Sequence, residues 1–346
     1  MGPGAFHPRH HPSVMSDPDI RVSAVLVSYN SKEDLLKNLP SLLEATSRET
    51  DEVILVDNDS TDSTSEVVRC VFPEVRLIEA GSNLGFGGAV NLAAIQARGR
   101  TLLVLNPDLR INSQAIDALV ARVDRAGGVA GPVLYEPASG KRLYGIRFDL
   151  MGLPIPSERP MPAFYVQGCA LAISSSLFRR IGGFDERYFL FAEDADLCWR
   201  AAASGAPVDV VLEAEAVHSG GGSEPGGYVK DGVRRIADRR FSLRERNTFA
   251  MFLANAPMLL LVVHVPLHML KTGVFCALFT LLGHRQLAAS LLKGLAWNLE
   301  QLPATLERRR ARPGVSTMSW LKGRVTLVPA AWTNVRNDGL PRFVNE

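Results

Sequence analysis

From Val22 onward, short apolar runs alternate with stretches whose apolar positions recur at helical spacing. This is the pattern of strands and helices taking turns in an α/β domain with a mostly parallel sheet. VSAVLVSYN over 22–30 reads as a buried strand ending in polar residues, and KEDLLKNLPSLLEAT behind it carries one apolar helical face. EVILVDNDSTD over 52–62 reads as a second strand closing on an acidic turn, after which Ser and Thr cap a helix running to about Val71. VRLIEA at 75–80 is a third strand, followed by the Gly-rich GSNLGFGGAVN and a helix, and TLLVLNPDL at 101–109 is a fourth. Residues 135–165, rich in Pro, Gly and Arg and without periodicity, predict a long loop crossing the crevice at the strand ends. VQGCALAISSSLFRRIGGFDERYFLFAEDADLCWRAAASG restores strand and helix patterning, which lasts to VLEAEAVHSGGGS.

After about Arg246 the composition changes. Residues 249–270 contain no Asp, Glu, Lys or Arg, and beyond Lys271 a second apolar run continues to Gly283. About 20 apolar residues suffice to cross a bilayer. Pro257, His264, Pro266 and His268 interrupt the run, however, and Arg308, Arg309, Arg310 and Arg312 follow it. The expectation is a pair of interfacial helices with a polybasic flank, meeting a membrane surface through residues 249–312. The alternative is a helical layer packed on the α/β domain. The chain thus divides into a flexible leader over 1–20, an α/β domain over 21–246 and an apolar and basic helical extension over 247–346. The leader has no apolar run to serve as a cleavable export signal, and its His7, His10 and His11 sit in a Pro-rich tail without the fixed geometry of a metal site.

Length and composition agree with this division: 346 residues, 47% hydrophobic and 21% charged, suit one large globular domain with an appendage. With 38 Lys and Arg against 36 Asp and Glu, the net charge of +2 supplies no global field for gripping nucleic acid. Cys70, Cys169, Cys198 and Cys276 form no CxxC pair, which points away from a zinc knuckle or a disulfide framework and toward a reducing compartment.

The acidic motifs lie just past the carboxyl ends of strands, where open α/β sheets bind ligands. Asp57 and Asp59 are suited to accept hydrogen bonds from a base or a ribose hydroxyl, or equally to shape the turn and cap the next helix; Tyr29 and Asn30 stand ready to stack on and bond the same base. In GSNLGFGGAVN, Gly85, Gly87 and Gly88 would let backbone approach a phosphate, with Asn83 and Asn91 as polar neighbours. Val90 replaces the third glycine of a dinucleotide fingerprint, which disfavours a nicotinamide enzyme. Asn106-Pro107-Asp108 ends an apolar strand and offers an oxygen ligand for a hard divalent cation, Mg2+ or Mn2+, that would neutralise a diphosphate leaving group. His218, between a strand and a Gly-rich turn, is either a further ligand or a structural imidazole. Glu193 and Asp194, with Asp196, crowd a helix start, where one of them could take a proton from an attacking hydroxyl and the others favour the helix dipole.

Taken in order, VSYN, VDNDSTD, GSNLGFGGAVN, LNPD, GCALAISSSLFRRIGGFDERYFLFAEDADLCWR and AVHSGG resemble the inverting family-two glycosyltransferases of GT-A fold, especially their rhamnosyltransferase-like branch, over residues 21–222. The resemblance implies a nucleoside-diphosphate sugar donor, bound by Tyr29, Asn30, Asp57, Asp59, Asn83, Gly85, Gly87, Asn91 and Asn106. It implies a metal site of Asp108 and His218, Asp194 as the catalytic base with Glu193 beside it, and a sugar or acceptor pocket near Gly168, Cys169, Asp185 and Trp199, where Asp185 either holds a hydroxyl or braces its loop. The implied reaction is a single displacement with inversion. It moves a sugar, with rhamnose a candidate, onto a glycan or polyprenyl-linked acceptor for cell-envelope polysaccharide at the cytoplasmic face of the membrane. Asn106 stands where a full DxD motif has its first acid, and Asn58 where the common VDD form has its second. Two alternatives are a sugar nucleotidyltransferase, whose Gly-rich basic loop is here replaced by SYNSKEDL, and an inactive membrane scaffold, which retention of Asp108, Asp194 and His218 opposes.

Overall fold

The computed structural model describes residues 19–220, 229–230, 233–311, 318–327, 329–330 and 342–344. His7, His10, His11 and Arg312 lie outside them. The strands are β1 (Val22–Ser28), β2 (Asp51–Asp57), β3 (Arg76–Glu79), β4 (Thr101–Leu105), β5 (Leu109–Ile111), β6 (Val129–Glu136), β7 (Lys141–Leu143), β8 (Ile146–Asp149), β9 (Pro154–Pro156), β10 (Ala170–Ser174) and β11 (Val208–His218). The main sheet runs β3-β2-β1-β4-β10-β6-β11-β5. β1 to β4 are parallel, β10 is antiparallel to β4 and β6, and β11 is parallel to β6 but antiparallel to β5.

The helices cover both faces, as the apolar periodicity requires. Val25, Ile54, Val56 and Val104 point into a core shared with α3 (Gly85–Gln96) and α6 (Glu193–Ala203). Their neighbours Ala24, Leu26, Leu55, Leu103 and Leu105 point the other way, onto α1 (Lys32–Ala45), α2 (Thr64–Val71) and α4 (Ser113–Ala126). A parallel strand buried on both faces has no polar alternation, which is why these strands read as continuous apolar runs. α5 (Ser175–Arg180) follows β10, its Ser174 cap accepting from Leu177 N–H at 3.2 Å.

Residues 135–165 differ from expectation. They hold β7, β8 and β9; β7 extends β6, and β8 with β9 forms a small sheet with Val325–Thr326. The strands are three and four residues long, too short to show a period, but their Leu143, Ile146, Phe148 and Ile155 are buried. Phe148 packs edge-on against Phe164 at 4.9 Å and Phe252 at 5.8 Å. Phe164 in turn packs on Trp199, also at 4.9 Å. Trp199 is 0% exposed, inside this aromatic cluster with Phe252 and Trp320, so it does not line a substrate pocket. The helical spacing that buried Leu197 and Ala201 turns the indole inward as well.

The C-terminal helices are α7 (Asp238–Asn255), α8 (Met258–Leu281), α9 (Arg285–Glu300) and α10 (Leu302–Arg310). The boundary expected between residues 246 and 247 falls inside α7. The apolar run of 249–270 is divided at Pro257, the N-cap of α8, whereas Pro266 sits within α8 without ending it. α8 turns its polar side inward: His264, His268, Lys271 and Thr272 are buried, while Leu259, Val262, Leu270, Val274 and Leu281 are exposed. His264 Nδ1 lies 2.8 Å from the Leu150 carbonyl, and Lys271 pairs with Glu245 at 2.5 Å. The expected polybasic flank is partly consumed within the fold. Arg308 pairs with Asp185, and Arg309 donates to the Ala256 carbonyl at 2.6 Å and the Leu253 carbonyl at 3.3 Å, satisfying the end of α7.

Trp199→Phe is expected to cost about 1–3 kcal/mol of stability through the gap it leaves, lowering the thermal midpoint with donor KM unchanged. Lys271→Met strands the buried Glu245 carboxylate and is expected to cost about 3–5 kcal/mol, most of it recovered when Glu245→Leu is added; urea unfolding of the single and double variants reads this directly.

Candidate active site

Parallel pairing carries the predicted acids to one end of the sheet. Ser28 is opposite Asp57 and Leu26 opposite Leu105, so the turn after β2 and the Asn106-Pro107-Asp108 turn after β4 leave the sheet on the same edge. At the first turn Asp57 is buried, one carboxylate oxygen accepting from Ser60 N–H at 3.1 Å and the other from the Ser65 hydroxyl. Asn30 Oδ1 accepts from Thr61 N–H at 2.7 Å, and Asn30 N–H donates to Ser60 at 2.9 Å. Tyr29 is half-buried beside them, and Asp59 is exposed at a φ of 71°. Ser63 is the N-cap of α2 but makes no side-chain cap bond; Asp62, just before it, accepts from Thr64 N–H at 3.1 Å.

Asn58, which in sequence was only a departure from VDD, is the hinge of this region. Buried at 3% exposure, it donates to Asn83 Oδ1 at 3.0 Å and to the Gly85 carbonyl at 3.2 Å, and accepts from Leu84 N–H at 2.9 Å. A carboxylate there could make none of the donor contacts. Asn83 also accepts from Gly85 N–H at 2.9 Å, so the Gly-rich turn is fixed by two asparagines. Gly85 has a φ of 72°, and a Cβ on it would strike the Phe189 carbonyl; one on Gly87 would lie 2.8 Å from Phe184 Cβ. Both glycines permit close packing against the 184–192 segment. Asn91 is taken up the same way, accepting from Phe184 N–H at 2.9 Å and donating to its carbonyl and to Glu186 at 3.0 Å. Asn91 therefore braces that loop, with its amide engaged by Phe184 and Glu186. Asp185, 2% exposed and paired with Arg187 and Arg308, is likewise a brace and not a sugar contact.

Asp108 is 4% exposed and meets His218, whose Nε2 lies 3.3 Å from Asp108 Oδ2. The antiparallel register of β11 with β5 sets His218 opposite Leu109, and Ser219 N–H donates to the Asp108 carbonyl at 3.1 Å. Burial opposes the Asp108 carboxylate, yet the hydrogen bond and charge of His218 hold its pKa below the ordinary value. Burial likewise opposes the imidazolium of His218, and Asp108 outweighs it and raises that pKa. Asp108 Oδ1 is buried and finds no hydrogen-bond partner among the described residues. A hard cation would satisfy that oxygen, so the pair fits Mg2+ or Mn2+ as a partial ligand set. Among the described residues no three His, Cys, Asp or Glu side chains form a complete cage.

The remaining acids stand across the same edge. Asn106 N–H donates to the Cys169 carbonyl at 3.0 Å, and the preceding Gly168 N–H donates to Asp194 Oδ2 at 2.9 Å, so Asp108 and Asp194 flank one short stretch of backbone. A Cβ at Gly168 would lie 3.3 Å from both Asp194 Cβ and Phe86 Cε1, which ties the Gly-rich helix start to the same place. Asp194 Oδ1 accepts from Ala195 N–H at 2.8 Å. Burial raises the Asp194 pKa against these two N–H donors. Burial and the charge of Asp194 raise Glu193 further, and Glu193 Oε2 is buried with no hydrogen-bond partner among the described residues. Glu193 is thus raised further than Asp194, and Asp194 is the one of the two that keeps part of its surface open. Asp196 has separate work: it binds Arg200 at 2.6 Å and Asn255 at 2.8 Å in the core. The Cys169 thiol is pushed far up by burial and is no nucleophile.

Comparison with known proteins matches this arrangement. The model described as Glycosyl transferase family 2 fits residues 23–182. The chain is 32% identical over 231 residues to the N-acetylglucosaminyl-diphospho-decaprenol L-rhamnosyltransferase of Mycobacterium tuberculosis (strain ATCC 25618 / H37Rv), covering 56% of this chain and 74% of that one. It is 25% identical over 268 residues to the dTDP-rhamnosyl transferase RfbF of Shigella flexneri, covering 74% and 88%. In fold it is similar to the mannosyltransferase PcManGT from Pyrobaculum calidifontis, solved with GDP-Man and Mn2+, at TM-score 0.51 and 19% identity over 95% of this chain and 91% of that one. It is also similar to GalNAc-T7, solved with UDP, GalNAc and Mn2+, at TM-score 0.53 and 14% identity over 68% of this chain and 48% of that one. A site assembled at the strand ends of a GT-A sheet and a relative matched over most of its length lead to one conclusion: this chain belongs to the family-two glycosyltransferases.

Proposed function

We propose that the protein transfers a deoxyhexose of the rhamnose type from a nucleoside-diphosphate donor to a hydroxyl of a lipid-linked glycan, with inversion, in cell-envelope polysaccharide synthesis. The observation that carries the reading is Asp194: a carboxylate held by two backbone N–H groups, next to the more deeply buried Glu193, and joined through Gly168, Cys169 and Asn106 to Asp108. The sugar and the acceptor class rest on the Mycobacterium tuberculosis and Shigella flexneri relatives, whose names specify rhamnosyl transfer and, in the former, a decaprenyl diphosphate acceptor.

In the proposed reaction Asp194 accepts the proton of the acceptor hydroxyl as that oxygen bonds to the anomeric carbon. The bond to the nucleoside diphosphate breaks on the opposite face and its electron pair leaves with the diphosphate. Asp108 and His218 would hold a divalent cation, Mg2+ or Mn2+, whose charge stabilises the leaving diphosphate. The two N–H donors orient Asp194 without ion-pairing it, so the carboxylate stays basic. The Asn58, Asn83 and Gly85 turn borders the donor side, and Gly168, lacking a side chain, leaves room for the acceptor beside the base.

The membrane partner is proposed on α8, the one described helix long and apolar enough to cross a bilayer, with only 22% of its apolar window buried. Leu259, Val262 and Leu270 on α8 are exposed, as are Leu292 and Leu299 on α9, and exposed Arg285 and Lys293 on α9 supply positive charge suited to the anionic cytoplasmic leaflet.

Asp194→Asn is expected to lower kcat by about 10²–10⁴-fold with donor affinity nearly unchanged. Asp108→Ala is expected to weaken Mn2+-dependent donor binding by about tenfold or more in calorimetry. An Asp194→Asn enzyme with wild-type turnover would remove the base from the proposal. Because Asp194 works deprotonated and its pKa is raised, the acid limb of the kcat/KM profile is expected above the ordinary carboxylate value of about 4, with activity gained as pH rises through it. Replacing Leu259, Val262 and Leu270 together by Asp is expected to cut co-sedimentation with anionic vesicles by about tenfold or more, since each buried leucine-sized side chain contributes about 1.5–3 kcal/mol; turnover on a water-soluble acceptor should persist.

A further inference from the structure

The segment ahead of the carboxylate pair has an unusual backbone. Phe189, Phe191 and Ala192, none of them glycine, have φ of 61°, 71° and 67°. Such conformations are sparsely populated for side-chain-bearing residues and persist only where surroundings over-determine them. Ala192 is the residue from which α6 starts, and the next two are Glu193 and Asp194.

The surroundings that hold this turn come mostly from α7. Asn247, 0% exposed, directs its Nδ2 at the carbonyls of Tyr188 and Leu190 at 2.8 Å and of Phe191 at 2.9 Å. Its Oδ1 accepts from Arg246 Nε at 2.8 Å, which fixes which end of the amide faces the turn. Arg246 Nη2 adds a bond to the Tyr188 carbonyl at 3.3 Å. The Phe189 carbonyl is taken by Phe86 N–H at 2.8 Å from the glycine-rich helix, and the Ala192 carbonyl by Asp196 N–H at 2.9 Å within α6. Every carbonyl from Tyr188 to Ala192 thus has a donor, and three of the five share one buried amide. That amide matches its setting, since three converging carbonyls need a neutral side chain with donors, and an acid of the same shape has none.

We propose that Asn247 is a positioning residue for sugar transfer: it holds the left-handed turn at 188–192 and so presents Asp194 to Gly168 and to the acceptor. The helix it sits on continues at Pro257 into the apolar-faced α8, so the C-terminal extension supplies part of the active-site frame. Without the amide the turn relaxes toward ordinary backbone, the start of α6 opens, and Asp194 moves off Gly168 into water.

The inference rests on the reading of Asp194 as base, and the test separates the two. Full-length Asn247→Asp is assayed for kcat, donor KM, the acid limb of the kcat/KM profile and thermal midpoint, beside Asp194→Asn. The expected result is a kcat lowered by about tenfold to a hundredfold, as for a small misplacement of a reacting group, with donor KM within about threefold. In Asn247→Ser, which adds no charge, the acid limb should move down toward the ordinary carboxylate range, because the base has gained water. If Asn247→Asp does not fold, the same readings are made on Asn247→Ser, whose short side chain adds no charge and cannot reach all three carbonyls. A folded variant with wild-type kcat and acid limb and only a lower thermal midpoint overturns the inference. Wild-type turnover in Asp194→Asn would instead overturn the base assignment, whatever Asn247 does.

Discussion

Two carboxylates on consecutive residues, both withdrawn from bulk water, cannot share a negative charge evenly, and the backbone decides which one carries it. Asp194 is met by N–H groups from two separate elements, the Gly168 loop before β10 and the first turn of α6, whereas Glu193 has a buried oxygen with no hydrogen-bond partner among the described residues. Hydrogen bonds to the charged form favour it, so the asymmetry of donors becomes an asymmetry of protonation. Much of the rest follows from keeping those donors in line. Gly168 meets Asp194 and Phe86 so closely that a Cβ there would lie 3.3 Å from each, Gly85 packs against the Phe189 backbone, and the segment leading into α6 turns left-handed just ahead of both carboxylates.

The turns after β2 and β3 are built on the same economy of side chains. Asp57 already spends both oxygens on Ser60 and Ser65, and Asn58 and Asn83 spend theirs on the Gly-rich turn. These residues hold the two turns in a fixed relation, the preorganisation on which the proposed donor binding would draw. Asp108 is the exception. Its Oδ2 faces His218 while its Oδ1 is buried with no partner among the described residues, an arrangement that a protein keeps at a cost where a cation or ligand will complete it.

What the sequence made legible was what leaves a local mark. β1, β2 and β4 announced themselves because a strand buried on both faces is a continuous apolar run, and the acids at 57, 108 and 194 were found because strand ends and helix starts are themselves local features. Three kinds of feature left no such mark. β7 to β9 are too short to show a period, and the prolines of β9 imitate a loop. Trp199 lies about one and a half helical turns beyond Glu193 and Asp194 and looked like a pocket residue, but its side chain belongs to the aromatic core. Asp185 and Asn91 bear groups apt for sugar or nucleotide, yet their partners lie far along the chain, Arg308 being 123 residues from Asp185, so only the folded structure reveals them as braces.

The inverted character of α8 constrains how it could meet lipid. Its buried positions run from His264 to Phe279, and at 1.5 Å of rise per residue that contact extends over about 22 Å, most of a hydrocarbon layer of about 30 Å. Within it, His264, His268 and Lys271 join the helix to the Leu150 and Met151 carbonyls, to Glu245 and to the rings of Phe249 and Phe252, and Phe279 packs on Phe241. A spanning pose would carry the Lys271 and Glu245 charges and those carbonyls into hydrocarbon, or strip them from one another, and either course costs several kcal/mol per charge. A pose along the interface keeps every one of these contacts and exposes to lipid only the face that is already apolar. The polar residues that interrupt the hydropathy of 249–283 are therefore what fastens the helix to the transferase domain, with its long axis along the domain surface.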